Sequence, residues 1–260
     1  AAIAGMRPIV VHPRMDFMLL AMDQIVNQAA NWNYMFHGQS NVPVVIRPII
    51  NRGGEQGAQH SQTFHSWLAH VPGLKVVMPS TPYDAKGLLI SSVYDGNPVI
   101  YIDDRMLYDE EGDVPEEMYK VPIGKGVIHK EGGDVTKVAV SSMVKYALEA
   151  ARELEKSGIN AEVIDLRSLK PIDKTMICNS LVKTGKIVIA DPGWATCGFA
   201  AEIAAIVAED AFEHLKAPIR RVTLPDAPAP TSSSLEESYY PTAKDIVKAA
   251  HDVINWVCSS

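Results

Sequence analysis

The stretch LKVVMPSTPYDAKGLLISSVYDGNPVIYI, residues 74–102, decides the fold of the chain. Its two ends, LKVVMP and NPVIYI, are short apolar runs typical of strands. Between them, Thr81 is a favoured N-cap residue, Pro82 suits the first position of a helix, and Asp84 suits its first turn. The stretch therefore predicts a strand, a helix and a second strand in succession.

The same alternation continues on both sides of this stretch. Further strands are predicted at 8–11, 42–50, 135–142, 161–166, 186–190 and 218–224. Helices are predicted at 16–32, 61–70, 143–157, 173–183, 199–215 and 242–257, and a Pro-rich loop at 225–234. Gly158 and Gly185 are placed to end two of these helices. Because strands that alternate with helices indicate a parallel sheet covered on both faces, we predict an α/β fold with two doubly wound, mostly parallel sheets.

Residues 103–122 break the alternation, since they are acidic and contain Gly112, Pro115 and Pro122. This composition favours a linker between domains. We therefore predict a first domain at 1–110, an acidic linker at 111–122 and a second domain at 123–260. The alternative is a long surface loop inside one domain.

Composition excludes several classes of protein. The chain has 260 residues, of which 47% are hydrophobic and 21% charged, as in globular proteins. A net charge of −7 argues against a nucleic-acid or anionic-membrane partner. No apolar run approaches the roughly 20 residues that span a bilayer.

The cysteines and the first residues bear on the compartment. Cys178, Cys197 and Cys258 are odd in number and far apart, which argues against a disulfide framework or a zinc site. We therefore expect a cytoplasmic protein. The first residues, AAIAGMRPIVV, have no basic n-region of a signal peptide, and we expect the sequence to begin inside a domain.

Two predicted helices have unusually wide apolar surfaces, at 17–31 and 199–214. Such surfaces are larger than those of ordinary monomers. We expect both helices to pack against other subunits, in an interface of the larger size class, above roughly 2,000 Å².

Three histidines, His60, His65 and His70, are spaced five residues apart. On a helix, five residues turn the chain by about 500°, so successive side chains point about 140° apart and do not converge on a metal. His60 differs because it follows the Gly-rich run NRGGEQGAQ at a junction between loop and helix, where catalytic residues often lie. RGGEQG (52–57) lacks the GxGxxG spacing, so a flexible turn is favoured over a phosphate cradle.

The whole chain resembles the beta subunit of the thiamine-diphosphate-dependent decarboxylase component of 2-oxoacid dehydrogenase complexes. The motifs that carry the resemblance are GMRPIV, DFMLLAMDQIVNQAA, YMFHGQSNVPVVIR, GAQHSQ, HVPGLKVVMPSTPYDAKGLL, NPVIYI, VPIGKG, AEVIDLRSLKPID and RVTLPDAPAP. They follow the order and spacing of that family over nearly all residues. The resemblance implies a transketolase-like pyrimidine-binding domain followed by a transketolase C-terminal domain.

The resemblance also implies the chemistry and the partners. It implies decarboxylation of a 2-oxoacid on thiamine diphosphate, with transfer of the acyl group to the lipoyl arm of an acyltransferase component. An alpha subunit is implied because the GDG…N motif, which holds the diphosphate and Mg²⁺ in that family, is absent here. Two alpha and two beta subunits are implied. The alternatives are a relative of transketolase or deoxyxylulose-phosphate synthase, and an interaction module without catalysis.

Site residues follow from the resemblance position by position. Phe17, in MDF, matches an aromatic residue that packs on the aminopyrimidine, although a core phenylalanine is an equal alternative. His60, in AQHSQ, matches an active-site histidine near the reacting carbonyl. Some members bind potassium at positions that here are the carbonyls of Val44, Ser92, Val93 and Asp95, with Asn97. A capped turn without an ion is the alternative there.

The chain departs from the family pattern in one catalytic residue and in two segments. The cofactor-activating glutamate of the family lies upstream of Ala1, so this chain alone is expected to be inactive. FHGQ (36–39) and PIINRGGEQG (48–57) differ from the usual family sequences, which leaves the choice of 2-oxoacid open.

Overall fold

A computed structural model describes residues 1–257, which form two compact units. The first unit contains residues 1–125, 167–171 and 228–236; the second contains 126–166, 172–227 and the residues from 237 onward. The segments 167–171 and 228–236 thus belong to the first unit, although they fall in the range predicted for the second domain. The domain limits drawn from the sequence stay a prediction.

The strands of the described chain are β1 (Ile9–His12), β2 (Val45–Ile50), β3 (Lys75–Val77), β4 (Val99–Tyr101), β5 (Asp103–Asp104), β6 (Val127–Lys130), β7 (Val135–Ala139), β8 (Ala161–Asp165), β9 (Ser168–Lys170), β10 (Ile187–Trp194) and β11 (Arg220–Leu224). The first unit has the strand order β1-β2-β4-β3-β9, with β5 beside β2. The second unit has the order β11-β10-β7-β8-β6. Among these pairs, β3–β9 and β6–β8 are antiparallel and the others are parallel. The predicted α/β class with mostly parallel sheets is confirmed.

The α-helices are α1 (Met15–Met18), α2 (Ala30–Met35), α3 (His65–His70), α4 (Pro82–Tyr94), α5 (Ser142–Glu155), α6 (Lys174–Thr184), α7 (Phe199–Asp210), α8 (Ser233–Tyr239) and α9 (Ala243–Ile254). Between α1 and α2 the chain stays helical through a 3-10 segment (Leu19–Ala21) and a π-helical segment (Asp23–Ala29). Residues 15–35 therefore form one helical run, called here the 15–35 run. Within residues 1–257, no helix is both long and apolar enough to cross a membrane.

The predicted helix ends are confirmed where a local signal sets them. Thr81 accepts a hydrogen bond from the backbone N–H of Asp84 at 3.1 Å, which begins α4. Such an N-cap stabilises a protein by about 1 kcal/mol. Gly185 ends α6 in the left-handed conformation, with φ of +71°. A residue with a side chain is strained there, so this position favours glycine.

Other elements differ from the sequence-based prediction. The helix predicted at 61–70 begins only at His65, and the backbone N–H of Gln62, before it, donates to the carboxylate of Asp16. The short strands β6 and β9 were not predicted, since their pairing partners lie elsewhere in the chain. The helix α8 begins inside the segment predicted as a Pro-rich loop.

The acidic segment 111–122 contains no helix or strand, but it is packed on α4. The hydroxyl of Tyr119 donates to the carbonyl of Tyr83 at 2.7 Å, and Ser91 donates to the carbonyl of Val121 at 2.6 Å. At Gly87, a Cβ would lie 2.4 Å from a methyl group of Val121. The segment therefore needs a glycine in α4 to lie this close.

The helix α7 covers its own apolar face within the second unit. Phe199, Ile203, Ile206 and Val207 are all buried, and the exposed positions of α7 carry alanines and acids. Its large apolar side chains therefore need no other subunit to cover them. Phe212, beyond the end of α7 but inside the predicted range, is 70% exposed, so the expectation that 199–214 packs against another subunit stays a prediction.

Candidate active site

Phe17 lies in the first helical turn of the 15–35 run. Its neighbours Met15, Asp16 and Met18 are buried, whereas the Phe17 ring is 50% exposed. A helix places adjacent residues on different faces, so the same turn that anchors α1 presents Phe17 outward. The alternative interpretation, a core phenylalanine, does not fit this exposure.

His60 lies next to Phe17. The two ring centroids are 5.3 Å apart and the ring planes meet at 85°, an edge-to-face contact. Such contacts between aromatic rings are weakly stabilising and have a preferred geometry. The structure thus brings together two residues that are 43 positions apart and that the resemblance assigned to one site.

A clamp holds the segment that carries His60. The Asp16 carboxylate accepts hydrogen bonds from the backbone and the side-chain amide of Gln62, at 3.1 and 3.0 Å. The backbone N–H of Phe64 lies 3.0 Å from the sulfur of Met15. Both contacts join the segment to α1, so Phe17 and His60 are positioned by a common support. Sequence reasoning missed Asp16, because nothing local to it indicates a partner 46 residues away.

The second oxygen of the Asp16 carboxylate, Oδ2, is buried without a hydrogen-bond partner in residues 1–257. A buried, unsatisfied carboxylate oxygen costs free energy, about 1–3 kcal/mol or more. This oxygen belongs to the carboxylate whose other oxygen binds Gln62 in the clamp.

The other two histidines are placed differently from His60. His65 is fully buried at the start of α3, and His70 is exposed in the last turn of α3. A cationic imidazole at a helix C-terminus is favourable, which suits His70.

The Gly-rich loop 52–57 has left-handed backbone conformations and hydrogen bonds to a distant segment. Gly53, Gly54, Glu55 and Gly57 all have positive φ. The backbone N–H of Glu55 donates to both carboxylate oxygens of Glu236, at 3.0 and 3.2 Å.

The same loop touches the segment 228–236 a second time. A Cβ at Gly57 would lie 2.6 Å from the hydroxyl of Thr231. The segment 228–236 thus contacts the loop at two points, and the preference for a flexible turn over a phosphate cradle stays a prediction.

The atoms predicted to bind potassium lie around the end of α4. The carbonyls of Val93 and Asp95 accept hydrogen bonds from Nη1 of Arg7, at 2.6 and 2.9 Å. The carbonyl of Val44 accepts from Val99, and that of Ser92 from Asp95. The backbone N–H of Asn97 donates to the Asp95 carboxylate. The potassium site stays a prediction, and its atoms have the partners just named.

A cavity of about 520 Å³ lies beside β2, β4 and α4 in the first unit. Its polar lining includes Arg47, Lys86, Asp103 and Tyr108. Arg47 and Asp103 form an ion pair at 2.5 Å. Burial raises the pKa of Asp103, although the charge of Arg47 opposes this shift. Burial and then the charge of Asp103 raise the pKa of Tyr108.

This cavity has the size and the mixed lining of small-molecule sites. It was not predicted from the sequence, because its residues come from three separate segments. No residue of the predicted site, Phe17 or His60, lines it.

Comparisons with known proteins were made on the whole chain. A model of the transketolase pyrimidine binding domain matches residues 1–110, and a model of the transketolase C-terminal domain matches residues 124–246. A solved structure described as a split gene transketolase, inactive beta4 tetramer, is similar with a TM-score of 0.80 and 26% identity, over 97% of this chain and 78% of that chain.

Curated relatives are more similar in sequence. The chain is 44% identical to the beta subunit of acetoin:2,6-dichlorophenolindophenol oxidoreductase of Bacillus subtilis, over 98% of this chain and 74% of the relative. It is 47% identical to the subunit of the same name of Cupriavidus necator, over 96% and 74%. It is 45% identical to the pyruvate dehydrogenase E1 component subunit beta-1 of Oryza sativa, over 96% and 68%.

Proposed function

Since the chain belongs to the family that includes the beta subunits of pyruvate dehydrogenase E1 components and of acetoin:2,6-dichlorophenolindophenol oxidoreductases, we propose that it is the beta subunit of an oxidoreductase that decarboxylates a 2-oxoacid on thiamine diphosphate. The acyl group then passes to the lipoyl arm of an acyltransferase component. The observation that carries the proposal is the contact between Phe17 and His60.

The residues of this chain fit a flat heteroaromatic cofactor. The ring of Phe17 is half exposed and the edge-to-face contact with His60 leaves part of it uncovered. Phe17 would hold the aminopyrimidine by stacking. When bound, thiamine diphosphate supplies the electron sink for decarboxylation.

His60 would move a proton in this reaction. An imidazole gives or takes a proton near neutral pH, and as a cation it steadies developing negative charge. The clamp between Asp16 and Gln62 would keep the ring of His60 in one position. A positioned acid–base group typically contributes about 100-fold or more to a rate.

An alpha subunit would complete the site, because the GDG…N motif that binds the diphosphate and Mg²⁺ in this family is absent from the sequence. A second beta subunit and the lipoyl acyltransferase component are the other proposed partners, in a cytoplasmic complex.

Exposed apolar side chains support a subunit interface at the 15–35 run. Phe17, Leu20, Tyr34 and Met35 are all at least half exposed, and Leu20 is 91% exposed. Several large apolar side chains exposed on one helical run favour an interaction site there.

Co-expression of the full-length natural chain, with any residues that precede Ala1, and an alpha subunit of this family tests the proposal. The complex, with thiamine diphosphate and Mg²⁺, is assayed for carbon dioxide release from pyruvate and branched-chain 2-oxoacids, and for dye reduction with acetoin. We expect carbon dioxide release from one of the 2-oxoacids, and none from the purified chain alone. Dye reduction with acetoin and no release from any 2-oxoacid would contradict the decarboxylation. Release of carbon dioxide by the chain alone would contradict a shared site. An assembled complex that is inactive with every donor would contradict the function.

A second candidate is one half of a split transketolase, which the similar solved structure supports. The same complex is therefore assayed for transfer of a ketol group between sugar phosphates. Ketol transfer without decarboxylation would favour this candidate.

A further inference from the structure

Two backbone carbonyls at the end of α4 accept hydrogen bonds from one cationic group. Nη1 of Arg7 donates to the carbonyl of Val93 at 2.6 Å and to that of Asp95 at 2.9 Å. Arg7 is 86 residues from Val93, so this contact is made by the fold and not by local geometry. Arg7 is anchored by β1, whose neighbour Pro8 accepts a hydrogen bond from the backbone of Val45 at 3.0 Å.

The electrostatics of this helix end favour a cation. A helix of 13 residues carries a negative partial charge at its C-terminus, and its last carbonyls have no partners within the helix. The Asp95 carboxylate adds a full negative charge, which Lys75 pairs at 2.5 Å. Lys75 thus binds the carboxylate of Asp95, whereas Arg7 binds the backbone carbonyls of Val93 and Asp95.

A monovalent metal ion would need the same oxygens. Potassium binds through several oxygen ligands, and here two of the predicted carbonyls already bind a guanidinium. A second cation on these oxygens would lie within a few ångströms of the positive charge of Arg7, where repulsion is strong. The remaining carbonyls, of Val44 and Ser92, each accept a backbone hydrogen bond.

We propose that the guanidinium of Arg7 is the resident cation at the C-terminal end of α4, in place of a potassium ion. The chain then carries its own positive charge at this point and gains nothing from potassium. Removing Arg7 would expose a carbonyl site of the kind that a monovalent ion can fill. The proposal concerns the fold and holds whether or not the proposed reaction is correct.

Thermal unfolding of the purified chain tests this. The parent is melted in potassium chloride and in choline chloride of equal ionic strength, and we expect equal midpoints. Arg7→Ala is expected to melt about 2 °C lower in choline chloride and to recover part of this loss in potassium chloride. Arg105→Ala, which removes another exposed arginine from the first unit, is the matched control and should show no potassium response.

Arg7→Lys keeps the positive charge and should melt alike in both salts, which also decides the matter if Arg7→Ala does not fold. A parent protein that melts higher in potassium chloride than in choline chloride would overturn the proposal, because potassium would then bind beside Arg7. An Arg7→Ala protein with the parent midpoint in both salts would overturn it as well.

Discussion

In α7 the large apolar side chains are buried in their own unit, whereas in the 15–35 run Phe17, Leu20 and Tyr34 lie in solvent. Both segments have the same apolar character in the sequence. The difference arises because α7 turns its residues Ile203, Ile206 and Val207 toward a sheet that is present, while the 15–35 run presents a second face that its own unit does not cover. An apolar helix therefore shows that a surface needs covering, but only the fold shows whether the same chain covers it.

The largest expected effect is on stability. Ile206→Ala leaves a cavity in the second unit and should lower the free energy of unfolding of the purified chain by about 2–4 kcal/mol. Leu20→Ala, in the 15–35 run, should change it by less than about 0.5 kcal/mol, because the side chain is already in solvent. Urea denaturation measures both. Equal losses for the two variants would break the contrast between these helices.

The second largest effect is expected on turnover, and it distinguishes a catalytic histidine from histidines with other roles. In an assembled complex with an alpha subunit, His60→Ala should lower 2-oxoacid turnover by about 100-fold, since the variant loses a positioned acid–base group. His70→Gln is the control and should change turnover little, because His70 is exposed at the end of α3.

His65→Gln should likewise act mainly through stability, by about 1 kcal/mol, because His65 is buried. Cofactor binding and assembly are checked first for all three variants. If His60→Ala assembles, binds cofactor and turns over like the parent, His60 is a structural residue.

A smaller effect is expected on assembly. Leu20→Ser should weaken the binding of the alpha subunit or of a second beta subunit by about 10-fold, because an exposed apolar residue at an interface is replaced by a polar one. Glu202→Ser, at an exposed position of α7, is the matched control and should have no effect. Analytical ultracentrifugation across a concentration series measures both. Equal assembly of the two variants would show that the 15–35 run is not the interface.

The smallest effect tests how well the second unit excludes water. Burial lowers the pKa of Lys137 to about 7, and its ammonium nitrogen lies 2.9 Å from the carbonyl of Ala147. In the unfolded chain this lysine keeps its ordinary pKa of about 10.4, so the unfolded state binds more protons between these two values. Stability should therefore rise with pH from about 7 upward.

Comparison with Lys137→Met isolates this contribution. From pH 7 to pH 8, the free energy of unfolding of the parent should increase by about 1 kcal/mol relative to the variant. Urea denaturation at both pH values measures the difference. The same pH dependence in parent and variant would mean that Lys137 is charged in the folded protein.

The elements that could be predicted depend on local signals. The N-cap at Thr81 and the glycine end at Gly185 act within one turn of helix, and both were found where they were expected. The strands β6 and β9 could not be predicted in this way, because each is defined by pairing with a distant strand. The π-helical segment of the 15–35 run has no sequence signal that we recognise.

The residues of the candidate site also differ in whether a local sequence signal identifies them. Phe17 and His60 were named from motifs, and the structure adds that their rings touch. Asp16 was missed, because its role depends on a hydrogen bond to Gln62 across 46 residues. The cavity around Arg47 and Asp103 was missed for the same reason, since the two residues meet only when β2 and β5 pair.

The bond between Glu55 and Glu236 has a consequence for proteases. The tip of the loop 52–57 is exposed, and its backbone is held in left-handed conformations by the segment 228–236. A protease needs an extended, movable backbone at the bond that it cuts. Cleavage after Glu55 should therefore be slow while Glu236 is bound and fast once the segment is released. The rate at which a glutamate-specific protease cuts this loop becomes a direct report on whether 228–236 stays attached to the first unit.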